Sequence, residues 1–141
     1  MILHLDTTAL IKLHVQEAGS KETRKTRGEG RCARASIVAY AETQSAFARL
    51  LREGISTPKR HEARSQQFNT DWESWLRVEL GHSIARTAGE LAEVYALRGF
   101  DAIHLASALW LNDTAGGRLR FAAFDTRLHA AAERAGLVVV D

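Results

Sequence analysis

The chain predicts an α/β fold, with four to five strands in a central parallel sheet covered by helices on both faces. Three observations lead there. Short apolar runs alternate with stretches of helical periodicity along the whole length. One small pattern occurs twice, as Leu3-His4-Leu5-Asp6-Thr7-Thr8-Ala9-Leu10 and as Ala122-Ala123-Phe124-Asp125-Thr126-Arg127-Leu128. Each copy sets an Asp-Thr pair where an apolar run stops and a helix begins, so each carboxylate is expected at the carboxyl end of a strand, the edge at which open α/β sheets bind ligands. Finally, 141 residues suit a single domain spanning 1–141, because at this size about 70% of the unfolded chain's surface can be buried.

The elements follow in order. Residues 2–5 read as the first strand, and Leu10, Ile11 and Leu13 give helical spacing over 8–15 until Gly19 breaks it. Ser20 is placed to cap a basic helix reaching Arg27, after which Gly28-Glu29-Gly30 is a loop. Residues 32–35 are a short strand. Over 37–52, Ile37, Tyr40, Ala41, Phe47, Ala48 and Leu51 fall on one side at about 100° per residue, the mark of an amphipathic helix. Thr57-Pro58 starts a polar helix toward Glu73, Pro being favoured in the first helical position. Residues 75–80 alternate as a strand, Ser83 opens a helix through Leu97, and Gly99 ends it. Residues 100–111 are apolar almost all round, which predicts a buried helix. Gly116-Gly117 is a loop, 119–124 a strand, 126–135 a helix stopped by Gly136, and 137–140 a last β-branched strand.

Composition narrows the function classes. Apolar residues at 45% and charged residues at 26% are ordinary for globular domains and exclude general disorder. Cys32 is the lone cysteine, read as a small core residue, so no disulfide framework or cysteine-based zinc site is expected; the six histidines lack His-Glu-x-x-His spacing. No apolar stretch approaches the roughly 18 residues of a membrane span, and no basic region precedes an apolar one at the start, so a cytoplasmic protein without membrane contact is expected. The net charge is only +2, but cations crowd two stretches, Lys21, Arg24, Lys25, Arg27, Arg31 and Arg34, then Arg49, Arg52, Lys59, Arg60 and Arg64. Such runs are either solvated helix faces or holders of a phosphate backbone.

Four carboxylates stand out. Asp6 and Asp125 can cap helices, an interaction of about 1 kcal/mol, or help gather a hard cation at helix amino ends that already favour anionic groups. Asp101 falls in the first turn of the helix expected to be most buried, with His104 one turn on. An ionised carboxylate there needs a partner, whether His104, Arg98 or a metal ion, because its desolvation costs several kcal/mol. Glu42 projects away from the side carrying Tyr40, Phe47 and Leu51, so it is either a solvated glutamate or lines a cleft near the start of its helix. His104 reads as a satisfied core residue or a support for neighbouring groups rather than a ligand.

Taken together, Leu5-Asp6-Thr7-Thr8-Ala9-Leu10-Ile11-Lys12-Leu13, Tyr40-Ala41-Glu42, Arg98-Gly99-Phe100-Asp101-Ala102-Ile103-His104-Leu105-Ala106 and Phe124-Asp125-Thr126-Arg127-Leu128 resemble the successive acidic motifs of PIN-domain ribonucleases, most closely the VapC-type toxins of toxin-antitoxin pairs. The resemblance spans nearly the whole chain. It implies a Rossmann-like α/β/α sandwich, Mg2+- or Mn2+-dependent cleavage of RNA with one or two ions, and catalytic or metal-binding roles for Asp6, Glu42, Asp101 and Asp125. Thr8, Thr126 and His104 become candidate supports of those acids, and Arg24, Lys25 and Arg31 candidates for the RNA backbone. Thr8 stands where the family often has Ser, and keeps the hydroxyl. An antitoxin protein and a homodimer are implied on the same footing. Two other readings stay open: a PIN-type nuclease that processes housekeeping RNA, and a nonenzymatic RNA- or protein-binding module whose acids merely cap helices.

Overall fold

A computed structural model describes residues 2–15 and 32–140. The expected basic helix up to Arg27, the Gly28-Glu29-Gly30 loop, and Arg24, Lys25 and Arg31 lie outside the described residues. Five strands, β1 (Ile2–Leu5), β2 (Cys32–Ser36), β3 (Leu76–Val78), β4 (Leu119–Ala122) and β5 (Val138–Val140), form one parallel sheet in the order β3-β2-β1-β4-β5. Six helices accompany them among the described residues: α1 (Thr7–His14), α2 (Ala39–Arg52), α3 (Pro58–Ser74), α4 (His82–Tyr95), α5 (Gly99–Thr114) and α6 (Thr126–Arg134).

The strand order dictates the layers. From β1 the chain moves outward through β2 to β3, then returns to β4 on the other side of β1 and continues to β5. Right-handed crossovers place the helices of the two excursions on opposite faces. Alternation along the strands fits: Leu3 and Leu5 join Leu10, Phe47, Phe68 and Trp72 in one core, while Phe121 joins Leu105, Leu111 and Leu128 in the other. The direction of winding reverses between β1 and β4, so a crevice opens beyond the carboxyl ends of these two strands. Leu5 and Ala122 are partners in register there, and the Asp6 N–H donates to the Ala122 carbonyl at 3.1 Å.

Several elements depart from their sequence expectation, each for a physical reason. The polar α3 is held down by Phe68 and Trp72, which join Tyr40 and Trp75 in a run of ring contacts 5.5 to 6.3 Å apart. Tyr40 packs sideways on α3, so the buried side of α2 is Ala39, Thr43 and Phe47 instead of the expected stripe. Helix α5 is not buried all round, since Phe100 and Trp110 are 55% and 49% exposed; its small residues Ala102, Ala106 and Ala108 press inward. Gly99 opens α5 rather than closing α4, which stops at Tyr95 because Ala96 turns left-handed and Leu97 folds into the core. Gly136 does stop α6, at φ +93°, where the Gly136 and Leu137 N–H groups bond back to Glu133 and Ala132. No helix among the described residues is long and apolar enough to cross a membrane.

Candidate active site

Both Asp-Thr turns cap a helix as their sequence suggests. Asp6 is extended at φ −79°, and its Oδ1 accepts the Ala9 N–H at 2.8 Å; Asp125 at φ −69° accepts the Leu128 N–H at 3.0 Å. Thr8 ties the first turn to the second. Its hydroxyl lies 2.7 and 2.8 Å from the two Asp6 carboxylate oxygens and donates to them, while its oxygen accepts the Phe124 N–H at 3.3 Å.

Asp6 is only 2% exposed. Burial pushes its carboxyl up to about 6, against the pull of His104, the Ala9 N–H and the Thr8 hydroxyl, and the nearby charge of Asp101 adds to the rise. Asp101 finds its partner in Arg98, whose Nε donates to Oδ2 at 3.0 Å; the same guanidinium stands 3.8 Å from Asp125. Of the two side chains open to Asp101 in the sequence, Arg98 is the one in contact, while His104 turns to Glu42.

Glu42 is half-buried, not solvated. Its Oε1 accepts from Thr7 Oγ1 at 2.7 Å and lies 2.8 Å from His104 Nε2. Burial alone would raise its carboxyl, but the hydrogen bonds from His104 and Thr7, with the charge of Arg98, hold it below the ordinary range. Two adjoining clefts expose the cluster. Glu42, Arg98, Phe100, Asp101 and Ile103 line one, and Arg98, Asp101, Asp125, Thr126 and Arg127 the other.

Glu42, Asp101 and Asp125 therefore line adjoining clefts around Arg98, while Asp6 lies buried within reach of the Asp101 charge. As the side chains stand, no group of three His, Cys, Asp or Glu donors among the described residues closes on a single point. A hard oxygen-only set still suits Mg2+ or Mn2+, since Mg2+ keeps several waters and takes one or two carboxylates directly. Thr126 is exposed beside Asp125 and makes no hydrogen bond to a carboxylate among the described residues, unlike Thr8 and His104. His4 was hidden in the apolar run of β1. It is fully buried beneath the site against Phe121, and burial, with His104 nearby, pushes its imidazole down to about 3, so it is neutral. In the basic stretches, Arg64 is committed to the fold, donating to the His14 carbonyl and Ser56 hydroxyl over the Phe47 ring.

Acidic clefts at the switch point of a three-layer parallel sheet, lined by Glu from the second helix and Asp from two helix starts, with a buried Asp in the turn after β1, define a fold and site class. The chain belongs to the PIN-domain family, whose model matches residues 3–134. Over 135 residues, covering 96% of this chain and 92% of the relative, it is 34% identical to Ribonuclease VapC45 of Mycobacterium tuberculosis, and equally to Ribonuclease VapC49 of the same species. Its fold is similar to that of a toxin-antitoxin complex from Klebsiella pneumoniae, with a TM-score of 0.69 at 20% identity over 100% of this chain and 97% of that one.

Proposed function

We propose that this chain is a metal-dependent endoribonuclease that hydrolyses RNA phosphodiester bonds as the toxin of a toxin-antitoxin pair. The observation that carries the reading is Asp6, a carboxylate buried just past the central strand, raised to about 6 by burial and by the charge of Asp101, which with Glu42 and Asp125 lines the adjoining clefts. Such a group is stabilised by a cation. Sequence identity of 34% to two VapC ribonucleases over 96% of the chain supports the same chemistry.

In this reading Asp6, Asp101 and Asp125 hold one or two Mg2+ or Mn2+ ions directly or through water, and Glu42 orients a water. A bound divalent ion supplies polarisation of the phosphoryl oxygens and a water of lowered pKa. Thr8 fixes the rotamer of Asp6. Arg98, exposed at the rim beside Asp101 and Asp125, is placed to meet a backbone phosphate, and Arg24, Lys25 and Arg31 are proposed to extend that contact. An antitoxin covering the crevice, a homodimer and a cytoplasmic location belong to the same proposal; the toxin-antitoxin complex of similar fold supports the first.

The test is to incubate purified protein with total RNA, with and without Mn2+, and map the ends produced. Cleavage that needs Mn2+ and falls at least about a thousandfold in Asp6→Asn is expected, since charge stabilisation by a metal is worth several kcal/mol. Full activity in folded Asp6→Asn would remove the assignment. Growth arrest on expression, relieved by the neighbouring gene product, separates a toxin from a housekeeping nuclease.

A further inference from the structure

Three side chains from three helices and both helical layers meet on one oxygen. Thr7 begins α1, Glu42 lies in the first turn of α2, and His104 stands one turn into α5. His104 is 1% exposed, and its Nε2 lies 2.8 Å from Glu42 Oε1 and 3.0 Å from Thr7 Oγ1. The single Thr7 hydroxyl proton goes to the same Oε1 at 2.7 Å. A hydrogen on Nε2 is therefore what the geometry requires, since a lone pair there would face a carboxylate. The opposite nitrogen agrees. Nδ1 is buried with no hydrogen-bond partner among the described residues, so the ring's hydrogen bonds run through Nε2.

Both donors converge on Oε1, and Oε2 has no protein hydrogen bond among the described residues. A glutamate on a helix surface otherwise loses side-chain rotamer freedom when it is fixed. Here that freedom is removed by groups already held in packed helices.

We propose that His104, acting with Thr7, is a positioning residue that locks Glu42 by Oε1 and presents Oε2 alone to the cleft lined by Arg98 and Asp101. Glu42 then addresses a metal water or an attacking water through one oxygen, never as a bidentate ligand. The inference rests on the nuclease reading above, and its consequences are separable from it. In this role His104 acts through Glu42 and needs no contact of its own with RNA or ion.

The experiment compares His104→Gln, His104→Asn and His104→Ala with the parent, measuring RNA cleavage with Mn2+ and, separately, Mn2+ binding by titration calorimetry. Gln carries an N–H near the place of Nε2, whereas Asn reaches only the place of Nδ1. Loss of an outer support costs about 10- to 100-fold in activity or metal affinity. The loss is expected in kcat rather than KM for Ala and Asn, with Gln recovering most of it. Replacing His104 by Ala in a Glu42→Gln background should change Mn2+ affinity no further. Thr7→Val, which keeps the shape and removes the hydroxyl, should weaken both readouts in the same direction even where a His104 variant fails to fold. Parent-like kcat and Mn2+ affinity in folded His104→Ala, a Gln variant no better than Ala, or an undiminished Ala effect on Glu42→Gln would each overturn the proposal. A parent that cleaves no RNA would defeat the nuclease reading alone, leaving the Mn2+ affinities and the double variant to decide this one.

Discussion

The two Asp-Thr turns are near copies in sequence and local geometry, yet they do different things. Each aspartate caps its helix through the third residue on, at 2.8 Å for Asp6 and 3.0 Å for Asp125. The first turn follows β1, the central strand, and is roofed by helices from both layers; the second follows β4 and sits at the rim. One position matters as well. Where the first copy has Thr8, the second has the exposed Arg127, so only Asp6 receives a hydroxyl beneath its carboxylate. A motif of four residues thus sets the cap, while its depth in the sheet sets the charge chemistry.

The sharpest way to break that comparison is to neutralise each aspartate in chelator. Between 3.8 and about 6, folded Asp6 holds a proton that the unfolded chain has released, so stability falls as pH rises through this window and stays lower above it. A displacement of about two pH units corresponds to about 3 kcal/mol at 1.36 kcal/mol per unit. Asp6→Asn, which keeps the cap, should therefore raise denaturant-measured stability at pH 7 by up to about 3 kcal/mol and flatten its slope between pH 4 and 6. Asp125→Asn should stay within about 0.5 kcal/mol, because Asn caps as well as Asp. Equal shifts in the two variants would show that depth is not the cause. Glu42 works the opposite way: held low by His104 and Thr7, its contribution is present at neutral pH and lost as acid protonates it. Comparing each variant with the parent isolates Asp6 from that background.

Cation binding should separate the same pair slightly less. An ion that binds only the folded chain adds about 2.7 kcal/mol of stability at a hundred times its dissociation constant. Thermal melts over a Mn2+ series should show that gain in the parent, none in Asp6→Asn, and a partial gain at higher Mn2+ in Asp125→Asn. A full gain in Asp6→Asn would place the ion elsewhere.

How far the site was legible follows from the range of its interactions. Asp6 and Asp125 announced themselves because a cap is local, written in residues three apart. The strands were legible for a similar reason, as apolar runs ended by turn residues. Glu42 was not, for its partner His104 lies 62 positions away and helical periodicity sees only its own helix. The same limit hid the anchoring of α3, whose polar sequence is held by Phe68 and Trp72 against Tyr40 of another helix, and the exposed side of α5 at Phe100 and Trp110. His4 was invisible because a neutral buried imidazole occupies a strand position much as an apolar residue does.

The smallest test lies in the hydroxyls. Thr8 and Thr126 were equal candidates from sequence, but the Thr8 oxygen both donates to Asp6 and accepts the Phe124 N–H, joining turns 116 residues apart. Thr8→Val keeps the β-branched shape while leaving a part-buried N–H without its acceptor and a buried carboxylate with the Ala9 N–H but no hydroxyl donor. Such losses cost about 1 to 2 kcal/mol. Thr126→Val removes an exposed hydroxyl and should stay within about 0.5 kcal/mol. Thr8→Ser should recover most of the deficit, since the oxygen and its proton return while only a methyl is missing. If Thr8→Val melted like Thr126→Val, the two turns would be independent caps, and the coupling of β1 to β4 through this oxygen would have no energetic content.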